Sequence, residues 1–238
     1  MTTPFLLEDP VMDFLYSIVR FFQGGGLFML PILLVAAVAL AIGLERYVTL
    51  TRLAFANRRA WGEIEPALGS GDFDKARELC SEGATAIARL LRMGLARQGA
   101  VRKREDVEIA MEESMMEIVP QLEKRTHYLA TFANLATLLG LLGTVSGLIH
   151  AFAAVATVNP AEKANLLSAS ISEAMNCTAF GLMTAVPIVF AHAFLQTKTT
   201  ELINGLETAS VKFLNALSTR QPTRAHLALA QPQAAVQG

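Results

Sequence analysis

The sequence predicts an all-α membrane protein with three transmembrane helices, two of which extend far into the cytoplasm, and a helical cytoplasmic loop. Of its 238 residues, 53% are hydrophobic and only 17% are charged, whereas soluble domains average about 25% charged residues. Three long apolar runs separate the charged segments. Two of these runs are also rich in glycine and alanine, and each carries a central threonine, Thr144 or Thr178.

Composition excludes several classes of function. The net charge of −1 is not the basic surface typical of nucleic-acid binding. Two cysteines, Cys80 and Cys177, provide no disulfide framework, and the four histidines lack metal-ligand spacing. We find no nucleophile with an adjacent base, so we expect neither an enzyme nor a bound cofactor or metal.

The three apolar runs define the predicted spans, because a bilayer crossing needs roughly 20 apolar residues. They occupy residues 27–44, 128–158 and 174–195. Residues 159–173 form a short loop between the second and third spans. Residues 1–26 precede the first span, and within them Val11–Phe22 predicts an amphipathic helix lying in the membrane interface; a frayed hydrophobic leader is the alternative.

The distribution of lysine and arginine predicts the orientation. Residues 45–127 contain 14 of the 20 Lys and Arg residues, whereas residues 159–173 contain only Lys163. Cytoplasmic loops carry the excess of these residues. We therefore expect residues 45–127 and the C-terminus in the cytoplasm, and the N-terminus and the short loop outside.

The cytoplasmic segment predicts helices separated by glycine turns. The expected helices are Trp61–Leu68, Phe73–Cys80 with Asp72 as its cap, and Thr85–Ala96. Without a turn signal after Glu105, we expect a single helix from about Glu105 to about Val158, which is on the order of 80 Å long. Span three is expected to continue as a cytoplasmic helix through residues 196–220. Residues 221–238 are predicted to form a disordered tail.

A stripe of small residues follows one face of span two at spacings of four and three. Its members are Ala133, Thr137, Gly140, Thr144, Gly147, Ala151 and Ala154. Span three carries a broader cluster of Ala174, Cys177, Thr178, Gly181, Thr184 and Ala185. Close packing of small residues associates helices in lipid, so packing alone accounts for the stripe. A second interpretation is that Thr144 and Thr178 offer hydroxyl oxygens to ions or water in a narrow path.

Carboxylates are absent from the three spans themselves. An ion path therefore needs its titrating acid from another chain, because a carboxylate in lipid is costly and marks such a path. Glu173, where the outer loop meets span three, is either an interfacial acid or an ion-entry residue. His150, His192 and Asn134 are interpreted as packing or hydrogen-bonding residues.

At these residues the sequence resembles the MotA/TolQ/ExbB family of ion-driven stator channels. The resemblance rests on Gly140–Phe152, on Ile171–Pro187 and, more weakly, on Pro31–Arg46. It implies a homo-oligomeric ring, with five copies, in the bacterial inner membrane. Within the ring, two copies of a single-span partner of the ExbD/TolR/MotB type supply an intramembrane aspartate, and flow of protons or sodium ions turns the partner.

The resemblance also implies roles for individual residues. Thr144 and Thr178 match the family's pore threonines, Glu173 matches its acid at the head of span three, and Pro187 matches its span-three proline. The remaining predicted pore-lining or helix-packing residues are Ala133, Thr137, Gly140, Gly147, Ala151 and Gly181. The sequence departs from the family pattern at Thr137, Ser146 and Cys177.

The resemblance implies a subunit that converts proton motive force into mechanical work on the cell envelope, in TonB-type transport, Tol-type envelope integrity or gliding motility. A flagellar-type MotA stator is disfavoured, because those relatives carry four spans. Two further alternatives are a non-conducting membrane scaffold, in which the small residues serve assembly only, and a secondary transporter. Three spans without an inverted repeat argue against the transporter.

Overall fold

The computed structural model describes residues 24–100 and 104–229, with the backbone alone for residues 98–100 and 219–229. Within these ranges the chain forms helices and no strand, so the predicted all-α class is confirmed. The helices are α1 (Met29–Gly69), α2 (Phe73–Glu82), α3 (Ala86–Ala100), α4 (Arg104–Glu123), α5 (Thr126–Val155) and α6 (Lys163–Leu229). The predicted interfacial helix at Val11–Phe22 lies outside the described residues.

Three stretches of helix are long and apolar enough to cross a membrane. They are α1, the stretch Arg104–Val155 whose apolar part is α5, and the N-terminal part of α6. Along all three, large apolar side chains such as Leu34, Leu138 and Phe190 are more than half exposed. The prediction of three spans in a multi-pass membrane protein is confirmed at this level.

The chain divides into two units. The apolar unit comprises residues 24–44 and 125–193 of the described chain, and the charged unit comprises residues 45–124 and 194–229. The apolar unit holds the three predicted spans and both central threonines. The charged unit holds α2, α3 and α4 together with the C-terminal parts of α1 and α6.

Helix α1 runs without interruption beyond the first span. Pro31 lies in its first turn, where a missing N–H costs nothing, and the helix ends at the predicted glycine turn. There Gly71 has φ +75°, a conformation that glycine adopts without strain, and the Asp72 N–H donates to the Ala67 carbonyl at 3.0 Å. The predicted separate helix Trp61–Leu68 is therefore the end of α1.

The predicted single helix over 105–158 is wrong, because a turn at Lys124 and Arg125 separates α4 from α5. Arg125 adopts φ +68°, a left-handed conformation that is uncommon for residues other than glycine. The Arg46 guanidinium donates to the Leu122 carbonyl in the last turn of α4, where carbonyls lack helical partners. Consequently, spans one and three, not two and three, belong to helices that continue unbroken into the charged unit.

Helix α6 is longer at both ends than predicted. It begins at Lys163, inside the predicted loop 159–173, after a turn in which the Glu162 N–H donates to the Asn159 carbonyl at 3.0 Å. It passes through Pro187 without a break in the helix. It also continues past Arg220 to Leu229, so the first part of the tail predicted to be disordered is helical, and residues 230–238 lie outside the described residues.

The core of the charged unit forms around Phe213 of α6. Its ring lies 6.5 Å from that of Phe73 at an interplanar angle of 81°, an edge-to-face arrangement favoured by aromatic pairs. A Cβ on Gly94 would lie only 2.6 Å from the Phe213 ring and 2.9 Å from the Met111 sulfur. Glycine at position 94 therefore lets α3 approach Phe213 and Met111 closely.

The predicted cap of α2 is confirmed, since the Asp72 carboxylate accepts from the Lys75 N–H at 3.1 Å. We expect Asp72→Ala to lower the free energy of unfolding of the charged unit by about 1 kcal/mol. The matched control is Asp74→Ala, which removes an exposed partner of Arg77 and is expected to cost a few tenths of a kcal/mol. Thermal unfolding of the purified chain, followed by circular dichroism, measures both; equal losses would argue against the cap.

Cys80 is fully buried, and this burial raises the pKa of its thiol from 9.0 to about 11, opposed in part by attraction to Arg92. Between these pH values the folded chain keeps a proton that the unfolded chain releases, so stability falls as pH rises from 9 to about 11. We expect the free energy of unfolding of the native chain, minus that of Cys80→Ala, to decline across this window. A difference independent of pH would contradict the raised pKa.

Candidate functional site

Helices α5 and α6 cross at Gly140 and Gly181 inside the apolar unit. A Cβ on Gly181 would lie 2.8 Å from the Ala136 carbonyl oxygen and 3.0 Å from the Gly140 Cα. A Cβ on Gly140 would lie 3.3 Å from the Cα atoms of Gly181 and Thr178. These neighbours are backbone atoms that cannot rotate away, so a side chain at Gly181 requires the helices to move apart, and one at Gly140 would be in tight contact with α6.

The close contact continues along both helices on either side of this crossing. A Cβ on Gly143 would overlap the Cys177 sulfur, and one on Gly147 would lie 2.8 Å from the Ala174 Cβ. Cys177 and Ala174 are themselves buried. Small residues thus alternate from one helix to the other, as close helix packing in lipid requires.

The packing face of α5 is rotated relative to the predicted stripe. The residues that α5 buries are Thr126, Leu129, Ala133, Ala136, Gly140, Gly143 and Ala151. Thr137, Thr144, Gly147 and Ala154 are only half-buried. The stripe therefore holds two groups of residues, one packed against α6 and one at the margin of that contact. The two threonines of the stripe, Thr137 and Thr144, belong to the margin.

The threonine hydroxyls differ in their hydrogen-bond partners. The Thr178 hydroxyl donates across the helix pair to the Gly140 carbonyl at 2.9 Å. The Thr144 hydroxyl donates within its own helix to the Leu141 carbonyl at 2.7 Å, and Thr137 bonds the Ala133 carbonyl at 3.2 Å. Thr144 follows Gly140 by about one helical turn, or roughly 6 Å. Thr144 and the Thr178–Gly140 bond therefore lie about one turn apart along the same helix pair.

Glu173 lies beside the loop that leads into α1. A Cβ on Gly26 would overlap the Glu173 carboxylate, and Gly26 has φ +72°, so the backbone conformation and the carboxylate both favour glycine there. The carboxylate lines a cavity of about 200 Å³. Its other polar lining residues are Ser146, His150 and Ser170. Glu173 is thus in α6 rather than in a loop, and it is the acid nearest to the small-residue contact.

The other predicted site residues are distributed as follows. Gly181 lies in the crossing, Ala133 and Ala151 lie in the α5 packing face, and Pro187 is exposed on α6. Gly147 contacts Ala174 although it is only half-buried. The structure thus joins most of the predicted residues in one helix pair and leaves Pro187 outside that contact.

Sequence reasoning missed Ala136 and Gly143 as packing residues. Both are small and lie one or two positions from stripe members. Composition alone therefore could not decide which of two adjacent faces of α5 forms the packing face. It also missed Gly26, whose role depends on the approach of Glu173 from a distant part of the chain. The Gly-Gly-Gly run at 24–26 was the available signal for a special backbone conformation.

The arrangement brings threonine hydroxyls and backbone carbonyl oxygens together in the helix pair. Among residues 24–44 and 125–193, the acids are Glu162 and Glu173, and neither lies inside a predicted span. Across the described part of the chain, no cluster of His, Cys, Asp and Glu residues has metal-binding geometry. The polar groups within the helix pair are therefore the threonine hydroxyls and the carbonyls that they contact.

Comparison with known proteins places these features in a family. Residues 82–208 match the model of the MotA/TolQ/ExbB proton channel family. The Tol-Pal system protein TolQ of Haemophilus influenzae is 34% identical over 46% of this chain and 46% of its own length. ExbB-like 3 of Synechocystis is 26% identical over 72% of this chain and 82% of its own. ExbB-like 1 of the same organism is 32% identical over 69% of this chain and 65% of its own. The chain thus spans about half the length of the curated TolQ relative that it matches.

Because Gly181 lies in the crossing, we predict that a single methyl group added at this position destabilises the helix pair. We expect Gly181→Ala to destabilise the α5–α6 pair by about 1–3 kcal/mol, because the added Cβ meets backbone atoms. Gly43→Ala is the control, since a Cβ there meets nothing within 4 Å. Thermal unfolding in detergent compares the two variants. A Gly181→Ala protein as stable as Gly43→Ala would contradict the contact.

Proposed function

This chain belongs to the MotA/TolQ/ExbB proton channel family, and from that premise we propose that it is a stator subunit that couples ion flow across the inner membrane to work on the cell envelope. The contact between α5 and α6 carries the proposal. It brings one hydroxyl-bearing helix directly against another, with Thr178 bonded to the Gly140 carbonyl at 2.9 Å. The three apolar helices and the TolQ and ExbB relatives agree with a multi-pass protein of the inner membrane.

The two threonines have different roles in this proposal. Thr144 bonds only to its own helix, so its hydroxyl is able to turn toward an ion or water without breaking the helix pair. Thr178 fixes the two helices together and presents its oxygen about one helical turn from Thr144. At these two threonines, this chain offers a passing proton or sodium ion hydroxyl and carbonyl oxygens rather than charged groups.

The proposal requires a partner that supplies the titrating acid. The three predicted spans contain no carboxylate, whereas a proton relay through lipid normally uses one. A single-span protein of the ExbD or TolR type, enclosed by a ring of this chain, provides an aspartate facing Thr144 and Thr178. The ring is proposed to contain five copies, by family resemblance.

Glu173 is proposed as the outer entry residue. Its carboxylate lines the cavity that also contains His150 and Ser146, about one helical turn before the contact of Cys177 with Gly143. Attraction of cations to this carboxylate raises their local concentration at the path. With Glu173 on the outer side of the membrane, the proposed orientation places the N-terminus in the periplasm and the charged unit in the cytoplasm.

The driving force is adequate for mechanical work. One charge that crosses 100 mV releases about 2.3 kcal/mol, which is several times the thermal energy. The process powered is proposed to be Tol-type envelope maintenance or ExbB-type transport, since the relatives carry the names of Tol-Pal system and biopolymer transport proteins.

Removal of the Thr144 hydroxyl gives the cleanest test of the ion path. We expect Thr144→Val to lower proton flux about tenfold or more, because a hydrogen bond to an ion is worth roughly 1.5–3 kcal/mol. The measurement is pH-dependent flux into liposomes that contain the chain and its co-expressed partner. Thr178→Val is expected to lower flux similarly, and Thr178→Ser to restore it.

Thr184→Val is the matched control, because Thr184 lies on α6 but outside the proposed path. Size-exclusion chromatography checks that every variant still assembles with the partner. Glu173→Ala is expected to have a milder effect than Thr144→Val. Full flux in both the Thr144→Val and Thr178→Val complexes would favour a non-conducting scaffold instead.

A further inference from the structure

A second cavity lies wholly within the charged unit, between α1, the first turn of α3 and α6. Its volume is about 440 Å³, within the range of sites that bind small molecules. Its apolar walls include Phe55, Ile87 and Leu206. A Cβ on Gly205, which also lines it, would meet nothing within 4 Å, so the α6 side of the cavity is open.

Asn57 provides a buried polar group in the wall of this cavity. The residue is 6% exposed, and its side-chain oxygen accepts from the Ile87 N–H at the start of α3, at 3.3 Å. That bond fixes the amide orientation, because the opposite orientation would place two donors together. The side-chain nitrogen has no hydrogen-bond partner, although a buried N–H group normally has one.

Most polar groups around Asn57 are also donors or cations. Arg58 and Lys198 line the cavity, as does Trp61, whose indole N–H is a donor. Lys198 donates to the Thr51 hydroxyl at 3.0 Å, which holds its ammonium group at this end of the cavity. Glu201 is the one acid in the lining. A ligand that satisfies these groups carries anionic oxygens, and the apolar walls require an apolar portion beside them.

The position of the cavity along the helices favours a lipid over a soluble anion. Lys198 comes three residues after the end of the predicted third span at 195, and its ammonium lies 4.6 Å from the Tyr47 ring centroid and 5.2 Å from that of Phe194. Aromatic rings with a nearby lysine are typical of the membrane–water interface. The Lys198 end of the cavity is therefore its membrane end, and basic pockets beside membrane helices bind anionic headgroups.

We propose that this cavity binds the headgroup of an anionic phospholipid, with its phosphate oxygens on Arg58, Lys198 and the free amide hydrogens of Asn57. The glycerol and upper acyl carbons lie against Phe55, which precedes Arg58 along α1 and is therefore nearer to the first span. The site is separate from the threonine path, and it depends only on the chain being a membrane protein. A lipid bound there joins α1 to α6 and to the start of α3.

Trp61 is the only tryptophan of the chain and lies in the cavity wall, so its fluorescence reports occupancy. The full chain, purified in detergent, is titrated with dihexanoyl phosphatidylglycerol, dihexanoyl phosphatidylcholine or inorganic phosphate. We expect a saturable change in Trp61 emission with phosphatidylglycerol, at a concentration about tenfold below that needed for phosphatidylcholine. Inorganic phosphate is expected to give no change over the same range.

Variants separate the site from general surface charge. Arg58→Gln and Asn57→Asp are each expected to weaken phosphatidylglycerol binding about tenfold; Asn57→Asp keeps an oxygen for the Ile87 N–H but repels the phosphate. Gly205→Leu, which fills the open side without changing charge, is expected to block binding. Arg59→Gln is the control, because Arg59 is a neighbouring cation on α1 that pairs with Glu63 and has an 86% exposed side chain.

Four results would overturn the proposal. The first is equal binding of the two lipids, and the second is an equal response to inorganic phosphate, which would indicate a soluble anion. The third is an unchanged affinity in Arg58→Gln and Asn57→Asp. The fourth is a Trp61 change that follows protein concentration without lipid, which would indicate that a second copy of the chain covers the cavity.

Discussion

The approach of α5 to α6 at Gly140 and Gly181 is the contact on which the rest of the apolar unit depends. In lipid there is no hydrophobic force between helices, so their association relies on packing and hydrogen bonds. At this crossing the backbones are close enough for the Thr178 hydroxyl to reach the Gly140 carbonyl. A Cβ at Gly181 would meet the Ala136 carbonyl oxygen at 2.8 Å and force the helices apart, and a Cβ at Gly140 would be in tight contact with the α6 backbone at 3.3 Å.

The same closeness determines which groups remain available to an ion. Close to the crossing with α6, the buried residues of α5 are alanine and glycine. Thr144 and Thr137 stand at the edge of this packing face, half-buried, where a neighbouring subunit or an enclosed partner is able to contact them. In the proposed function, the spans of this helix pair contain no Asp, Glu, Lys or Arg and supply oxygen ligands, and the charge that moves belongs to another chain.

Much of the fold was predictable from sequence, because membrane spans, glycine turns and helix caps depend on local sequence. The three spans, the glycine turn before Asp72 and the Asp72 cap are all present. The register of the packing face was not predictable, since alanine and glycine occur on adjacent faces of α5 and only the position of α6 selects Ala136 and Gly143. The break at Arg125 was missed because no glycine or asparagine marks its left-handed conformation.

Features that depend on distant residues were also beyond the sequence. The amide of Asn57 meets Ile87, thirty positions away, and the Glu173 carboxylate approaches Gly26. Neither pair has a periodic or motif signal. The early start of α6 at Lys163 was missed because the segment after Pro160 is polar enough to resemble a loop, although it contains no helix-breaking residue after that proline.

Cysteine cross-linking tests the central claim most directly. In a chain with Cys80 and Cys177 replaced by serine, cysteine is placed at Thr144, Thr178 or the exposed Phe190, and a second cysteine replaces the intramembrane aspartate of the co-expressed partner. The account predicts oxidative cross-links from positions 144 and 178 and none from position 190. Cross-linking from position 190 alone, or from none of the three in an assembled complex, would contradict it.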